Sequence, residues 1–294
     1  MSPTLLLPVT VSLLAAGLGG LSQRYFRPAI AAWSLTVSTV LAAAAALSAA
    51  LMTIVSFVHV APVSGDFLSW CLGIEHDPAR VPWVEAGLAS TFLAIASVRL
   101  RRCRARYRSL SPDDAGDDVE LIDGEQPLAY TLPGRCGRIV VSSGMLRALS
   151  DDEQRVLFSH ERSHLHRRHD LFLYAVDLGV AIVPPLAPMS RFVRFATERW
   201  ADEDAARTVG DRRLVARAVA RAAIAQNSVV QPGLALAGLG VRSRVEQLLE
   251  DPTGPSKLRG ALLLTAGLTA TVAASASLQV HHLAMVIEQL CGRS

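Results

Sequence analysis

Apolar residues in this chain of 294 residues collect in long blocks with few or no charges. Residues 5–21, 29–58, 81–98 and 258–280 each approach or exceed the length that lets a helix cross a hydrocarbon core of about 30 Å. The pattern predicts four transmembrane helices. The first block lacks a basic residue ahead of its apolar core and is followed closely by the second, which favours a retained span over a cleaved signal peptide. A fifth apolar stretch, 171–189, is interrupted by Asp177 and by Pro184, Pro185 and Pro188. Those breaks predict a re-entrant or membrane-surface hairpin, with a buried helix of a cytoplasmic domain as the alternative.

Between residues 109 and 209 the pattern changes. An acidic, turn-rich linker occupies 109–118, and three short β-branched or alternating runs at 119–123, 127–131 and 137–142 read as strands of a small sheet. Ser150-Asp-Asp-Glu153 then fits a capping box, so a helix starts sharply there. A second amphipathic helix is expected over 191–209.

Composition agrees with a membrane protein: 51% of residues are apolar, and the mean hydropathy is +0.32. The net charge of +3 conceals local extremes. Lys257 is the one lysine among 29 basic residues, a bias that points to nucleotide composition rather than to nucleic-acid binding. Arg99, Arg101, Arg102, Arg104, Arg106 and Arg108 follow the third block, and Arg24 and Arg27 follow the first. Positive flanks stay cytoplasmic, so both termini are expected outside and the segment after Arg108 inside a bacterial plasma membrane. Cys71 and Cys291 then fall outside, where a disulfide and two free thiols are equally compatible with the sequence. Cys103 and Cys136 fall in the reducing cytoplasm. None of the four shows zinc-finger spacing.

Chemistry concentrates in His160-Glu161-Arg162-Ser163-His164. Two histidines four apart share one helix face, and their imidazoles can reach one zinc ion, while Glu161 stands beside the first as a general base for a water. A histidine-rich solvated face, extended by His166 and His169, is the bland alternative. A catalytic zinc needs a third protein ligand. Glu198 on the second helix can supply it, and Asp202, one turn on, can hold a ligand histidine through its other ring nitrogen. Glu203 and Asp204 read as solvated acids.

Taken together, Ile139-Val-Val-Ser-Ser-Gly-Met-Leu146, Leu149-Ser150, the HExxH helix, Glu198-Arg-Trp-Ala-Asp202 and Arg244-Val-Glu-Gln-Leu248 resemble the BlaR/MecR family of membrane metallopeptidases. Membrane proteases of the HtpX and CAAX-prenyl-protease type are related to that family. The resemblance implies one zinc per chain on His160, His164 and Glu198, Glu161 as catalytic base, and Ile139, Val140, Val141 and Ser142 as an edge strand that pairs with substrate backbone. It also implies a protein or peptide substrate, namely a winged-helix repressor of the BlaI/MecI type. Two departures stand out. Where the family commonly carries an aspartate five residues after the second histidine, this chain has His169, with Asp170 next. No external penicillin-binding domain is expected after the last block, and a single lysine leaves no Ser-x-x-Lys motif.

The expected architecture is a mostly α membrane protein with about four transmembrane helices and a cytoplasmic α+β zincin-like metallopeptidase domain. Residues 1–98 form the membrane domain, 99–257 the peptidase domain with its hairpin, and 258–294 the last helix and an external tail. The expected function is zinc endopeptidase activity at the cytoplasmic membrane face in signal transduction. Quality-control proteolysis of the HtpX type and a non-catalytic signalling role are the alternatives. The bilayer is an expected partner, and the oligomeric state is open, with a dimer among the options.

Overall fold

The computed structural model describes residues 27–60, 83–110, 118–132, 137–227 and 235–250. The expected spans at 5–21 and 258–280, together with Cys71, Cys136 and Cys291, lie outside these residues. Among the described residues the protein is mostly helical, with one small sheet.

Two helices are long and apolar enough to cross a membrane, α1 (Pro28–Val60) and α2 (Trp83–Leu110). They run side by side, and the edge of Phe57 near the end of α1 meets Trp83 at the start of α2 with ring centroids 4.8 Å apart. The third apolar block was expected to end at residue 98. The helix instead continues through the arginine run, because arginine is a good helix former and nothing between residues 99 and 110 breaks the backbone ladder. This basic extension carries Tyr107 to Asp170.

A three-stranded sheet follows, built from β1 (Val119–Ile122), β2 (Ala129–Leu132) and β3 (Arg138–Ser142) in the order β1-β3-β2. β3 pairs parallel with β1 and antiparallel with β2. Ile139 to Ser142 therefore form the buried central strand, hydrogen-bonded on both sides, and cannot be the substrate edge strand expected from sequence. The strand has no free main-chain groups to offer. The free edge nearest the HExxH helix belongs to β2. A short helix, α3 (Ser143–Ala148), follows β3 without a loop, started by Ser142, whose hydroxyl accepts from Met145 N–H at 3.1 Å. Gly144 is obligatory here, since a Cβ would lie 2.2 Å from the Glu125 carbonyl oxygen.

The capping box then opens α4 (Asp151–His166), with Glu153 accepting from the Ser150 N–H at 2.9 Å. Arg221 closes on the same carboxylate at 2.8 Å, which fastens α7 (Arg212–Asn227) to the start of α4. α5 (His169–Ile182) and α6 (Ala187–Val209) are antiparallel arms joined by a 3-10 turn at Pro184–Leu186. Across the arms Ser190 donates to Asp177 at 2.8 Å. α6 begins four residues earlier than its amphipathic pattern suggested, because Pro188 falls in its first turn, where a missing N–H costs nothing. The last described helix is α8 (Ala235–Leu249).

Both arms pack on the first half of α1. Ala31, Ala32, Leu35, Ala42 and Ala43 meet Phe172, Val176, Met189, Val193 and Trp200 in one buried cluster. Small residues on α1 permit a close approach: a Cβ on Gly179 would lie 2.7 Å from Thr39 Cγ2 and 3.3 Å from the Thr39 carbonyl oxygen. A second cluster joins Val156 of α4 to Ala205 of α6 and Val215 of α7, and a third lies under the sheet around Ile139, Val141 and Met145. The hairpin turn at Pro184 reverses the chain, so Glu198 comes back beside α4.

Candidate metal centre

Three elements supply the site: α4 carries His160, Glu161 and His164, α6 carries Glu198 and Asp202, and β2 contributes Thr131. His160 Nε2 and His164 Nε2 stand 3.2 Å apart. Glu198 completes a triangle, with Oε2 3.5 Å from His160 Nε2 and Oε1 3.6 Å from His164 Nε2. Ligand atoms about 2.0–2.1 Å from one tetrahedral ion are separated by roughly 3.3–3.4 Å. The histidine pair, and the Glu198 oxygen nearest each histidine, stand close to that spacing, and one ligand atom from each residue falls within 4.8 Å of the others, so these are the residues that could hold a metal.

Charge around the triangle is arranged for a cation. Asp202 is buried, and its Oδ1 lies 3.0 Å from His160 Nδ1, on the side of the ring away from Glu198. Arg244 on α8 grips the other side of Asp202 through Nε and Nη2, both at 2.7 Å, and reaches Glu198 Oε2 through Nη1 at 3.0 Å. Burial disfavours a charged His160 imidazole, but the bonds from Asp202 and Glu198 outweigh it and raise His160 to about 10. His164 is pushed the other way, to about 4, by burial and by the neighbouring His160 charge. Burial works against the Glu198 carboxylate, yet the His160 bond and the Arg244 charge hold it well below the usual range. Two carboxylates converging on one histidine, with a second histidine kept neutral, form a donor set that suits a divalent cation.

Glu161 does not belong to the triangle. Its carboxylate is buried and accepts from Thr131 Oγ1 at 2.6 Å, and burial raises its proton affinity. A carboxylate outside the ligand set, held by one hydroxyl and more basic than usual, has the properties of a general base. A cleft of about 770 Å³ opens over the site. Its walls run from Ala129, Tyr130 and Thr131 on β2 past His160 and Glu161 to Cys103, Arg106 and Tyr107 on α2.

The remaining polar residues sort by environment. His166 is exposed, with its Nδ1 3.0 Å from the Arg162 carbonyl oxygen, so the histidines of this segment do not form one solvated face. Asp170 accepts from the Tyr107 hydroxyl at 2.6 Å and lies 3.5 Å from Arg168 Nε, so it is engaged away from His164. The histidine before it meets His164 instead, with His169 Nδ1 3.0 Å from His164 Nδ1. Burial and the neighbouring His164 push His169 down to about 3. Glu203 and Asp204 are not simply solvated acids: Glu203 pairs with Arg212 at 2.6 Å, and Asp204 accepts from Ser163 at 2.8 Å and from Arg167 at 3.0 Å.

Sequence reasoning missed the roles of Thr131, His169 and Arg244. Arg244 lies 42 residues from Asp202, and its only trace in sequence was its place in a run resembling the metallopeptidases.

Residues 105–202 match the model of peptidase family M48, a stretch that contains Glu161 and all three residues of the triangle. Peptidases of that family are generally zinc-dependent. No curated protein and no solved structure matches the chain.

Proposed function

We propose that this protein is a zinc metalloendopeptidase that hydrolyses peptide bonds at the cytoplasmic face of the membrane. The observation that carries the reading is the His160, His164 and Glu198 triangle with a buried carboxylate outside it, Glu161, beside His160 on the same helix. Zinc, when bound, supplies Lewis acidity that polarises a substrate carbonyl and lowers the pKa of water. His160, His164 and Glu198 would hold it.

The chain's own residues do the rest. Thr131 keeps Glu161 Oε2 fixed, so that this carboxylate accepts a proton from the attacking water and can pass it to the departing amine. Asp202 Oδ1, 3.0 Å from His160 Nδ1, favours a proton on that nitrogen and leaves Nε2 free to coordinate. Arg244 neutralises the second carboxylate, so Asp202 needs no proton of its own. The β2 edge, which forms one wall of the cleft, offers main-chain groups to an extended peptide. The arginines at residues 99–108 and the apolar length of α1 and α2 support the cytoplasmic, multi-pass placement.

The match to peptidase family M48 supports proteolysis at the membrane without singling out a repressor of the BlaI/MecI type as substrate. General turnover of membrane-associated polypeptides is the simpler form of the proposal. Zinc content and hydrolysis of an unfolded protein by the purified full chain in detergent test it. Glu161→Gln is expected to keep zinc and lose at least a hundredfold in turnover, and Glu198→Ala to lose both. Undiminished cleavage by Glu161→Gln would overturn the enzymatic reading.

A further inference from the structure

The two histidines of the triangle are backed in different ways. His160 has a buried carboxylate behind it, which is the usual partner of a metal-ligating histidine. His164 has another imidazole. His169 is 1% exposed, packs its ring against Trp200 with centroids 5.1 Å apart, and brings Nδ1 to 3.0 Å from His164 Nδ1.

This contact is not what an uninterrupted helix would give. A residue five positions on lies about 140° further round a continuous helix and faces away. Here the chain turns at Arg168, whose φ of 53° is the one positive value at a residue other than glycine among the described residues. That left-handed conformation is unfavourable for any residue bearing a Cβ. It ends α4 and starts α5 at once, and it swings His169 back beneath His164.

Tautomer chemistry then fixes the direction of the bond. A neutral histidine that coordinates through Nε2 must carry its proton on Nδ1, because only one ring nitrogen keeps a lone pair. His164 turns Nε2 toward the triangle and Nδ1 toward His169. His169 Nδ1 is the acceptor, so its own proton sits on Nε2, which is buried and has no hydrogen-bond partner among the described residues.

We infer that His169 is a positioning residue for the ligand His164: a neutral imidazole that accepts the His164 Nδ1 proton and so fixes the tautomer and ring orientation needed for coordination. The inference rests on the zinc reading given above. It assigns to His169 the task that Asp202 performs for His160, and it separates His169 from its neighbour Asp170, which is engaged with Tyr107.

Substitutions at residue 169 that differ in where they place an acceptor test the role. His169→Phe keeps a ring against Trp200 but has no acceptor. His169→Asn puts an amide oxygen close to the place of Nδ1, whereas His169→Gln carries it one bond further out. The full chain in detergent is measured by zinc competition against a chelator, by the visible spectrum after cobalt substitution, and by metal-free thermal melting. His169→Phe is expected to lose about 10–100-fold in zinc affinity and to shift the cobalt bands, with metal-free melting close to that of the parent. His169→Asn is expected to recover most of the affinity and the parent spectrum, and His169→Gln to recover neither. Parent-like affinity in His169→Phe overturns the role, and so does equal affinity in the Asn and Gln variants, a comparison that stands even if the Phe variant fails to fold. If the parent chain itself takes up no zinc, the zinc reading fails and the role falls with it. If the parent binds zinc and residue 169 proves indifferent, the role alone fails.

Discussion

Helix α6 passes through two regions that are held together by opposite means. Its first half lies in an apolar seam, where Met189, Val193 and Ala196 meet the small residues of α1, and contact there is a matter of shape. Its second half lies in a polar cluster, where Glu198 and Asp202 meet His160 and Arg244 across distances of 2.7 to 3.5 Å. In the seam a substitution is felt in proportion to volume. In the cluster it is felt through the charge it leaves unpaired, so volume is a poor guide and position in the network decides.

The difference can be broken most forcefully at Asp202. Asp202→Ala leaves Arg244 and His160 Nδ1 facing a void, and removing one member of a buried ion pair costs about 3–5 kcal/mol. Both the denaturation midpoint and zinc affinity are expected to fall, whereas a purely packing role would lower only the first. Next in size is Gly179→Leu, which forces side-chain atoms into Thr39. Overpacking of this kind costs about 1–3 kcal/mol, and it is expected to lower the melting temperature while zinc affinity, measured by chelator competition, stays within a few-fold of the parent. Smallest is Thr131→Val, nearly isosteric and outside the triangle. Loss of the hydrogen bond to Glu161 is expected to reduce kcat by about tenfold without changing zinc content, and a change in metal stoichiometry would show that Thr131 acts on the ligands instead.

Legibility in the sequence followed the range of the interactions. The HExxH helix, its capping box and the Glu198–Asp202 pair are set by spacings of three and four, which a helix turns directly into neighbours. The strands were visible as runs, but their order was not. β3 became the centre of the sheet through its pairing with β1, a partner chosen by tertiary packing, and so the expected edge strand is an interior one. Arg244 was out of reach for a similar reason, since its contact with Asp202 spans 42 residues. His169 was visible only as a departure from a family pattern. Its role depends on one left-handed residue, Arg168, and nothing in an arginine announces that conformation.

The seam on α1 also ties the candidate site to a long apolar helix. α6 is one rod, lodged in its first half against a helix long and apolar enough to cross a membrane and bearing the candidate metal ligand Glu198 just beyond that contact. A fragment cut loose before the sheet would lose α1 and expose Phe172, Val176 and Val193 to water, and the hairpin that returns Glu198 would have nothing to lean on. The candidate site and the long apolar helix are thereby one mechanical unit: parting them would cost the histidine pair the carboxylate that faces it.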